Sequence, residues 1–262
     1  ALAASLGRRA FLISGAPVLA ESGVLQQIAD AAAAQGVETV VLHTITREPL
    51  VEDVDRAAAR VRGIGLRAGD FVLAVGGGAA IDLGKAVAAM AAHEESPTVR
   101  DYLENVGRGL KLTNDPLPVM AMPTTAGTGA EATRNAVISS YDPPFKKSLR
   151  SDKIMPRIAL VDPELTVTVP PAVTAASGMD AITQLIESYI SKKARCRRSS
   201  RRWKTARRGL PARTWRTPRC CPAWPWRIPA LAWPTAWPRR WGCTAARPTA
   251  SRVRCCCPWR CG

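Results

Sequence analysis

Short apolar runs alternate with amphipathic runs along the first two-thirds of the chain. Runs rich in aliphatic and β-branched residues predict strands at 9–15, 37–43, 71–78, 118–125 and 157–162. Between them, apolar residues recur at helical intervals and predict helices at 25–36, 51–63 and 81–93. Because strands that alternate with helices form parallel sheets with crossover helices, the pattern predicts an α/β fold. The run after Pro170, PAVTAASGMDAITQLIESYISKKA, predicts a further helix that opens a second, all-helical domain.

Composition divides the chain near residue 195. Residues 1–195 carry 20 Lys and Arg against all 21 Asp and Glu, whereas residues 196–262 carry the other 17 basic residues and no acidic residue. All eight Cys and all eight Trp also follow Arg195. The formal charge of +16 therefore belongs to the last segment, and the first 195 residues are close to neutral.

The last segment, residues 196–262, fits no familiar class of basic domain. Arg and Trp together suit nucleic acid, through phosphate contacts and base stacking, but the layout matches no known nucleic-acid module. The cysteines form CC and CCC but no CxxC, which argues against zinc, and a disulfide scaffold disagrees with the Cys-free residues 1–195. Because the segment is highly charged and broken by prolines, we expect it to be disordered or non-native.

The segment AVGGGAAIDLGKA at 74–86 carries three glycines from a predicted strand into a predicted helix. Glycine lets the backbone approach a ligand closely, and a helix N-terminus offers unpaired N–H groups and partial positive charge. The segment therefore predicts a pyrophosphate site, although it is neither G-x-G-x-x-G nor a P-loop. A tight strand–helix turn without a ligand is the alternative.

A second polar loop, MPTTAGTGAEAT at 122–133, follows the next strand. Its Thr and Gly residues supply hydroxyl groups and backbone amides, and ligands of open α/β sheets bind at the carboxyl ends of strands. A polar turn is the alternative, but two such loops in one sheet favour a dinucleotide.

Asp180, Gln184 and Glu187 fall on one face of the last predicted helix, at i, i+4 and i+7. An Asp and a side chain at i+4 can share a metal ion, but Gln is a poor ligand for a transition metal. From spacing alone, a polar stripe at a helix start is the favoured interpretation.

Taken together, GGGAAIDLGK, PTTAGTGAE, KKSLRSDKIMPRIALVDPEL and AASGMDAITQLIESYIS resemble the iron-dependent (group III) alcohol dehydrogenases, from about Arg9 to Ala194. The resemblance implies an N-terminal α/β NAD(P)-binding domain at 1–165, the first helix of an all-helical metal-binding domain at 166–195, and an aberrant tail at 196–262. It implies metal ligation by Asp180 and Gln184. It implies that the cofactor site comprises Gly76, Gly77, Gly78, Asp82, Thr124, Thr125, Thr128 and Lys146.

Three positions depart from the family pattern. Ala79 replaces a usual Ser, and Gln184 replaces a usual metal-binding His. Many members carry an Asp after the first strand, suited to a ribose hydroxyl, where this chain has Ser14-Gly15. Because a 2′-phosphate meets less repulsion without that carboxylate, both NAD and NADP stay open.

The resemblance implies a metal-dependent alcohol dehydrogenase. Fe²⁺ or Zn²⁺ would polarise the oxygen of an alcohol, aldehyde or ketone while hydride passes to or from NAD(P). A maleylacetate-reductase-like enzyme that uses NAD(P)H is an alternative that Gln184 keeps open, and a basic tail that binds nucleic acid is the non-enzyme alternative. For the chain as written, we expect little or no dehydrogenase activity.

The tail fits a shifted reading frame. Joining the last base of each codon to the next two bases turns Ala232 to Pro238 into codons that permit Met-Ala-His-Gly-Leu-Ala, with both Ala forced. The same shift turns Arg247 to Ala250 into codons that permit Pro-His-Gly. AHG and PHG are the histidine patterns that the resemblance implies at this point, so we predict a frameshift near codons 195–205.

Several expectations concern the protein's surroundings. No run of 18 apolar residues occurs, so we expect no transmembrane helix, and no basic-then-apolar secretory leader opens the chain. The Cys-free residues 1–195 fit a cytoplasmic enzyme, which we expect to form a homo-oligomer when intact. Because the chain begins with Ala1, we expect that N-terminal residues are missing.

Overall fold

The computed structural model describes residues 2–15 and 17–191. The predictions for the tail at 196–262, including its disorder and its shifted frame, lie outside these residues, as does the boundary near 195.

The predicted α/β fold is confirmed, and its centre is a five-stranded parallel sheet in the order β2-β1-β3-β4-β7. The strands of the chain are β1 (Arg9–Gly15), β2 (Glu38–Ile45), β3 (Asp70–Gly76), β4 (Val119–Pro123), β5 (Asn135–Tyr141), β6 (Pro144–Arg150) and β7 (Ile158–Ala159). The helices are α1 (Leu2–Leu6), α2 (Val18–Glu21), α3 (Val24–Ala33), α4 (Val51–Ile64), α5 (Gly78–Ala91) and α6 (Pro171–Ile190). Short 3₁₀ turns occupy Val99–Tyr102, Ala130–Ala132, Asp152–Ile154 and Pro163–Thr166.

Alternation along the strands builds a core on each face of the sheet. In β1, Phe11 and Ile13 pack with the apolar residues of α4 and α5, whereas Ala10 and Leu12 pack on the opposite face with α1 and α3. Successive side chains of a strand point to opposite faces, so a strand without polar interruption needs cover on both sides. This layering buries β1 and β3 along their whole length and leaves their carboxyl ends at one edge.

An antiparallel hairpin, β5–β6, is the main element that the hydrophobic pattern did not predict. Its strands mix buried and exposed positions, and β6 carries two lysines and an arginine. The hairpin packs Ile138 and Leu149 into the α4–α5 core, so tertiary contact stabilises a polar pair of strands that propensity alone leaves ambiguous. The predicted strand at 157–162 is also shorter than expected, since only Ile158–Ala159 pair with β4.

A buried ion pair joins β1 and β3 at the amino edge of the sheet. The Arg9 guanidinium donates from Nε to Asp70 Oδ1 at 2.9 Å and from Nη2 to Asp70 Oδ2 at 2.6 Å. Arg9 also donates to the Gly65 carbonyl and lies over the Phe11 ring. This two-point geometry satisfies both buried charges, as burial requires. At the amino edge of the sheet, Arg9 and Asp70 thus bind each other.

Helix α6 is the longest helix of the described residues, and none of its twenty residues is buried. The exposed apolar side chains on it are Val173, Met179, Ile182, Leu185, Ile186, Tyr189 and Ile190. Near its middle it crosses the loop that follows β4, residues 124–133, which we call the Thr-rich loop. The approach is so close that a Cβ on Gly127 would lie 2.5 Å from the Ser177 carbonyl oxygen. Within residues 2–15 and 17–191, no helix is long and apolar enough to cross a membrane.

Candidate functional site

The candidate site lies where β1, β3 and β4 end at the carboxyl edge of the sheet. Gly76 closes β3, and its carbonyl accepts the Thr124 N–H at 3.0 Å. The two polar loops singled out in the sequence are thereby adjacent. In a parallel sheet this edge is where helix N-termini and loop amides converge on a ligand.

Close backbone approach explains two of the glycines. Gly76 has φ of +151°, and a Cβ there would lie 2.8 Å from both the Gly15 nitrogen and the Ala80 Cβ. A Cβ on Gly15 would in turn lie 3.3 Å from the Gly76 Cα. Any larger residue would push β1, β3 and the start of α5 apart, so these glycines allow the three elements to pack closely at the site.

Gly77 and Gly78 form the start of α5. Gly77 is the N-cap, and among the described residues no side chain bonds to the first amides of the helix. A Cβ on Gly77 would lie 3.5 Å from Thr125 Oγ1, and one on Gly78 would lie 2.8 Å from Thr128 Oγ1. The bare helix start therefore faces two threonine hydroxyls across a narrow gap. Free N–H groups, a helix dipole and hydroxyl donors are the features that bind phosphate.

Asp82 is a buried residue of α5, one turn after Gly78. Its Oδ2 accepts the Val137 N–H at 2.9 Å, and its Oδ1 lies 2.8 Å from Lys85 Nζ. Burial raises the pKa of the Asp82 carboxyl, and the Lys85 ammonium opposes that rise. The structure thus bonds Asp82 to β5, while its role toward a cofactor stays a prediction.

Lys146 lies on β6 and pairs with Glu48, which belongs to the loop between β2 and α4. Glu48 Oε2 also accepts the Ser139 hydroxyl at 3.1 Å. The hydrogen bond from Lys146 lowers the pKa of the Glu48 carboxyl. Sequence reasoning missed Glu48, because no local pattern connects it with a lysine 98 residues away.

The two predicted metal ligands contact each other. Gln184 Nε2 donates to Asp180 Oδ2 at 2.8 Å on the surface of α6. Within residues 2–15 and 17–191, no three His, Cys, Asp or Glu side chains are grouped as a metal site. His93 is buried elsewhere, with Nε2 accepting the Asn114 N–H at 3.0 Å and Nδ1 lying 2.7 Å from the Ala89 carbonyl oxygen. The described residues therefore do not form a metal site by themselves.

Comparison with known proteins gives one consistent result. The family model described as iron-containing alcohol dehydrogenase matches residues 1–163. Long-chain-alcohol dehydrogenase 1 of Geobacillus thermodenitrificans is 38% identical over 189 residues, which are 72% of this chain and 46% of that protein. The 4-hydroxybutyrate dehydrogenase of Cupriavidus necator is 39% identical over 184 residues, or 70% of this chain and 46% of that one.

Solved structures agree with the sequence comparison. Sulfoacetaldehyde reductase from Bifidobacterium kashiwanohense, solved in complex with NAD⁺, superposes with a TM-score of 0.63 at 36% identity, covering 73% of this chain and 48% of that one. The chain thus spans about half the length of these relatives. The matches confirm the resemblance that the glycine, threonine and α6 motifs indicated. The chain belongs to the iron-containing alcohol dehydrogenase family.

Proposed function

We propose that residues 2–191 bind NAD or NADP and that the intact protein transfers hydride between the cofactor and an alcohol or carbonyl substrate. The observation that carries the proposal is the uncapped N-terminus of α5, which faces Thr125 and Thr128. A dinucleotide diphosphate supplies the negative charge that this helix start lacks.

The chain's own residues bind and orient the cofactor. The amides of Gly77 and Gly78 bind the diphosphate, and the hydroxyls of Thr125 and Thr128 donate to its oxygens. Lys146 stands at the rim, where its pairing with Glu48 limits its movement. Thr124 holds the second loop to β3 through its N–H. When bound, the nicotinamide ring supplies hydride acceptance and donation.

The metal-dependent step belongs to the intact parent protein in this proposal. Asp180 is the one carboxylate on α6 that the resemblance assigns to the metal, and its described partner is an amide. We therefore propose that the 262-residue chain binds cofactor but turns over little or no alcohol. A frame restored near codons 195–205 would add the histidines that AHG and PHG represent.

The setting that we propose for the parent is a cytoplasmic homo-oligomer that acts on small molecules. The lack of cysteine in residues 1–195 supports the cytoplasmic setting, and these residues are close to neutral in net charge. The same neutrality argues against a role for this part of the chain in binding nucleic acid.

Binding of NADH and NADPH to the full chain tests the proposal, with calorimetry or nucleotide fluorescence as the readout. We expect micromolar to millimolar affinity, and we expect Gly78→Val to weaken it at least tenfold because the side chain would collide with Thr128. Gly178→Val is the matched control, since a Cβ at Gly178 meets nothing within 4 Å. Failure of the wild-type chain to bind either nucleotide, or equal losses in both variants, would reject the proposal.

A further inference from the structure

Lys85 is a completely buried lysine with no direct part in the diphosphate cradle, the proposed site formed by Gly77, Gly78, Thr125 and Thr128. It lies on α5, two turns after the bare helix start, and its side chain has an exposed fraction of 0%. Its Nζ donates to the Ala130 carbonyl at 2.9 Å, to Thr133 Oγ1 at 3.0 Å and to the Asn135 carbonyl at 2.6 Å. Ala130 and Thr133 lie in the last part of the Thr-rich loop, and Asn135 is the first residue of β5.

The Lys85 contacts continue into the cradle. The Ala130 N–H donates to Thr128 Oγ1 at 3.4 Å, and Thr128 is the hydroxyl that faces Gly78. Thr133 Oγ1 also donates to the Ala130 carbonyl at 3.1 Å. One buried ammonium thus ties the far end of the loop to the helix whose N-terminus forms the other wall of the site.

Burial of an ammonium is costly unless the charge is paired and its protons are bonded. Here Asp82 Oδ1 lies 2.8 Å from Nζ, and three acceptors use its protons. An apolar side chain of similar size would fill the volume but would remove the ammonium donor, so the carbonyls of Ala130 and Asn135 would keep only their weaker bonds from Thr133. The lysine therefore determines where the segment from Ala130 to Asn135 lies.

We propose that Lys85 is a positioning residue that holds the Thr-rich loop, residues 124–133, against the N-terminus of α5, so that the diphosphate cradle exists before the cofactor binds. This proposal rests on the proposed function for the identity of its ligand. Its structural part, the tether that the hydrogen bonds of Lys85 form with Ala130, Thr133 and Asn135, does not depend on any ligand.

The test compares Lys85→Met with Arg9→Met in the full chain. Arg9 is also a buried cation paired with an aspartate, but it lies at the opposite edge of the sheet. We expect Lys85→Met to bind NADH and inorganic pyrophosphate at least tenfold more weakly and to exchange amide hydrogens faster in 124–133. Arg9→Met should lose stability while its nucleotide affinity stays within twofold of wild type.

Three outcomes would overturn the proposal. They are wild-type affinity in Lys85→Met, an equal loss of affinity in both variants, or unchanged hydrogen exchange in 124–133. If the wild-type chain itself binds no nucleotide, the proposed function fails, whereas exchange in the unliganded variants still decides the tether. If Lys85→Met does not fold, Thr133→Val removes one acceptor of Lys85 together with the bonds that the Thr133 hydroxyl donates to Ala130 and Asn135. We then expect a two- to fivefold loss of affinity with faster exchange confined to the loop.

Discussion

Two helices begin at the carboxyl edge of the same sheet, and they begin in opposite ways. At α4, the Asp53 carboxylate accepts the Leu50 N–H at 3.0 Å and also bonds Arg47 through Nη1 at 2.5 Å and Nη2 at 3.2 Å. At α5, the N-cap is Gly77, and no side chain in the described part of the chain bonds to the helix start. Helix α4 thus carries a hydrogen-bonded carboxylate in its first turn, whereas α5 carries no acidic residue in its first turn.

This difference between the two helix starts determines where an anionic ligand can bind. A carboxylate within the first turn already neutralises the helix dipole and uses nearby donors, so an incoming anion gains little there. A glycine start supplies neither charge nor bulk, so its amides bind whatever acceptor approaches from outside. The β2–α4 and β3–α5 connections are equivalent in topology. Only the residues at the helix start distinguish the structural connection at α4 from the candidate ligand site at α5.

Converting the start of α5 into a capped one should have the largest effect. Gly77 has ordinary extended φ and ψ, of −71° and −175°, so Gly77→Asp fits the backbone and provides a preferred N-cap. Its carboxylate would occupy the anion position and repel the diphosphate. We expect about a hundredfold loss of NADH affinity, corresponding to about 2.7 kcal/mol, with thermal stability unchanged or raised.

Gly77→Asn separates charge from bulk in this test. Asn is nearly the same size and also caps helices, but it carries no charge. A loss of affinity much smaller than that of Gly77→Asp is expected. Equal affinity in Gly77→Asp and wild type would mean that the diphosphate does not bind at this helix start.

The same comparison explains what sequence could predict. The alternation of apolar runs located β1, β3, α4 and α5, because burial on one or both faces imposes a local period. The glycines and threonines predicted a candidate site at the carboxyl edge because they directly follow strands. Asp82 and Lys146 were assigned by resemblance alone.

Local sequence patterns could not predict contacts between distant parts of the chain. The bonds that Lys85 donates to Asn135 and that Ser139 donates to Glu48 join segments 50 and 91 residues apart, and no local pattern encodes them. The β5–β6 hairpin was missed for a related reason, because its polar strands are stabilised by the α4–α5 core. For α6, sequence predicted the helix correctly but could not show that the described residues leave it uncovered.

Removing the acid at α4 should have a smaller effect, on stability rather than binding. Burial raises the pKa of the Asp53 carboxyl, but the hydrogen bonds from Arg47 and Leu50 outweigh burial and hold that pKa below its ordinary value. A depressed carboxyl pKa adds stability above the unfolded value of about 4, and this stability disappears as pH falls through the folded pKa. Asp53→Asn should therefore cost about 1–2 kcal/mol at pH 7 in urea unfolding, with a difference that shrinks below pH 4. A difference independent of pH would assign the loss to shape rather than charge.

The smallest effect should come from the neighbouring acid on the same helix turn. Glu52 is exposed and also lies in the first turn of α4, yet it has no hydrogen bond to the helix start among the described residues. Its charge can act only through the helix dipole and through solvent, so Glu52→Gln should cost about 0.3 kcal/mol at low salt and less at high salt. Urea unfolding at two salt concentrations, beside Asp53→Asn, measures this. If the two substitutions cost the same, the direct bonds of Asp53 would contribute nothing beyond charge, and α4 and α5 would differ at their starts only in local potential.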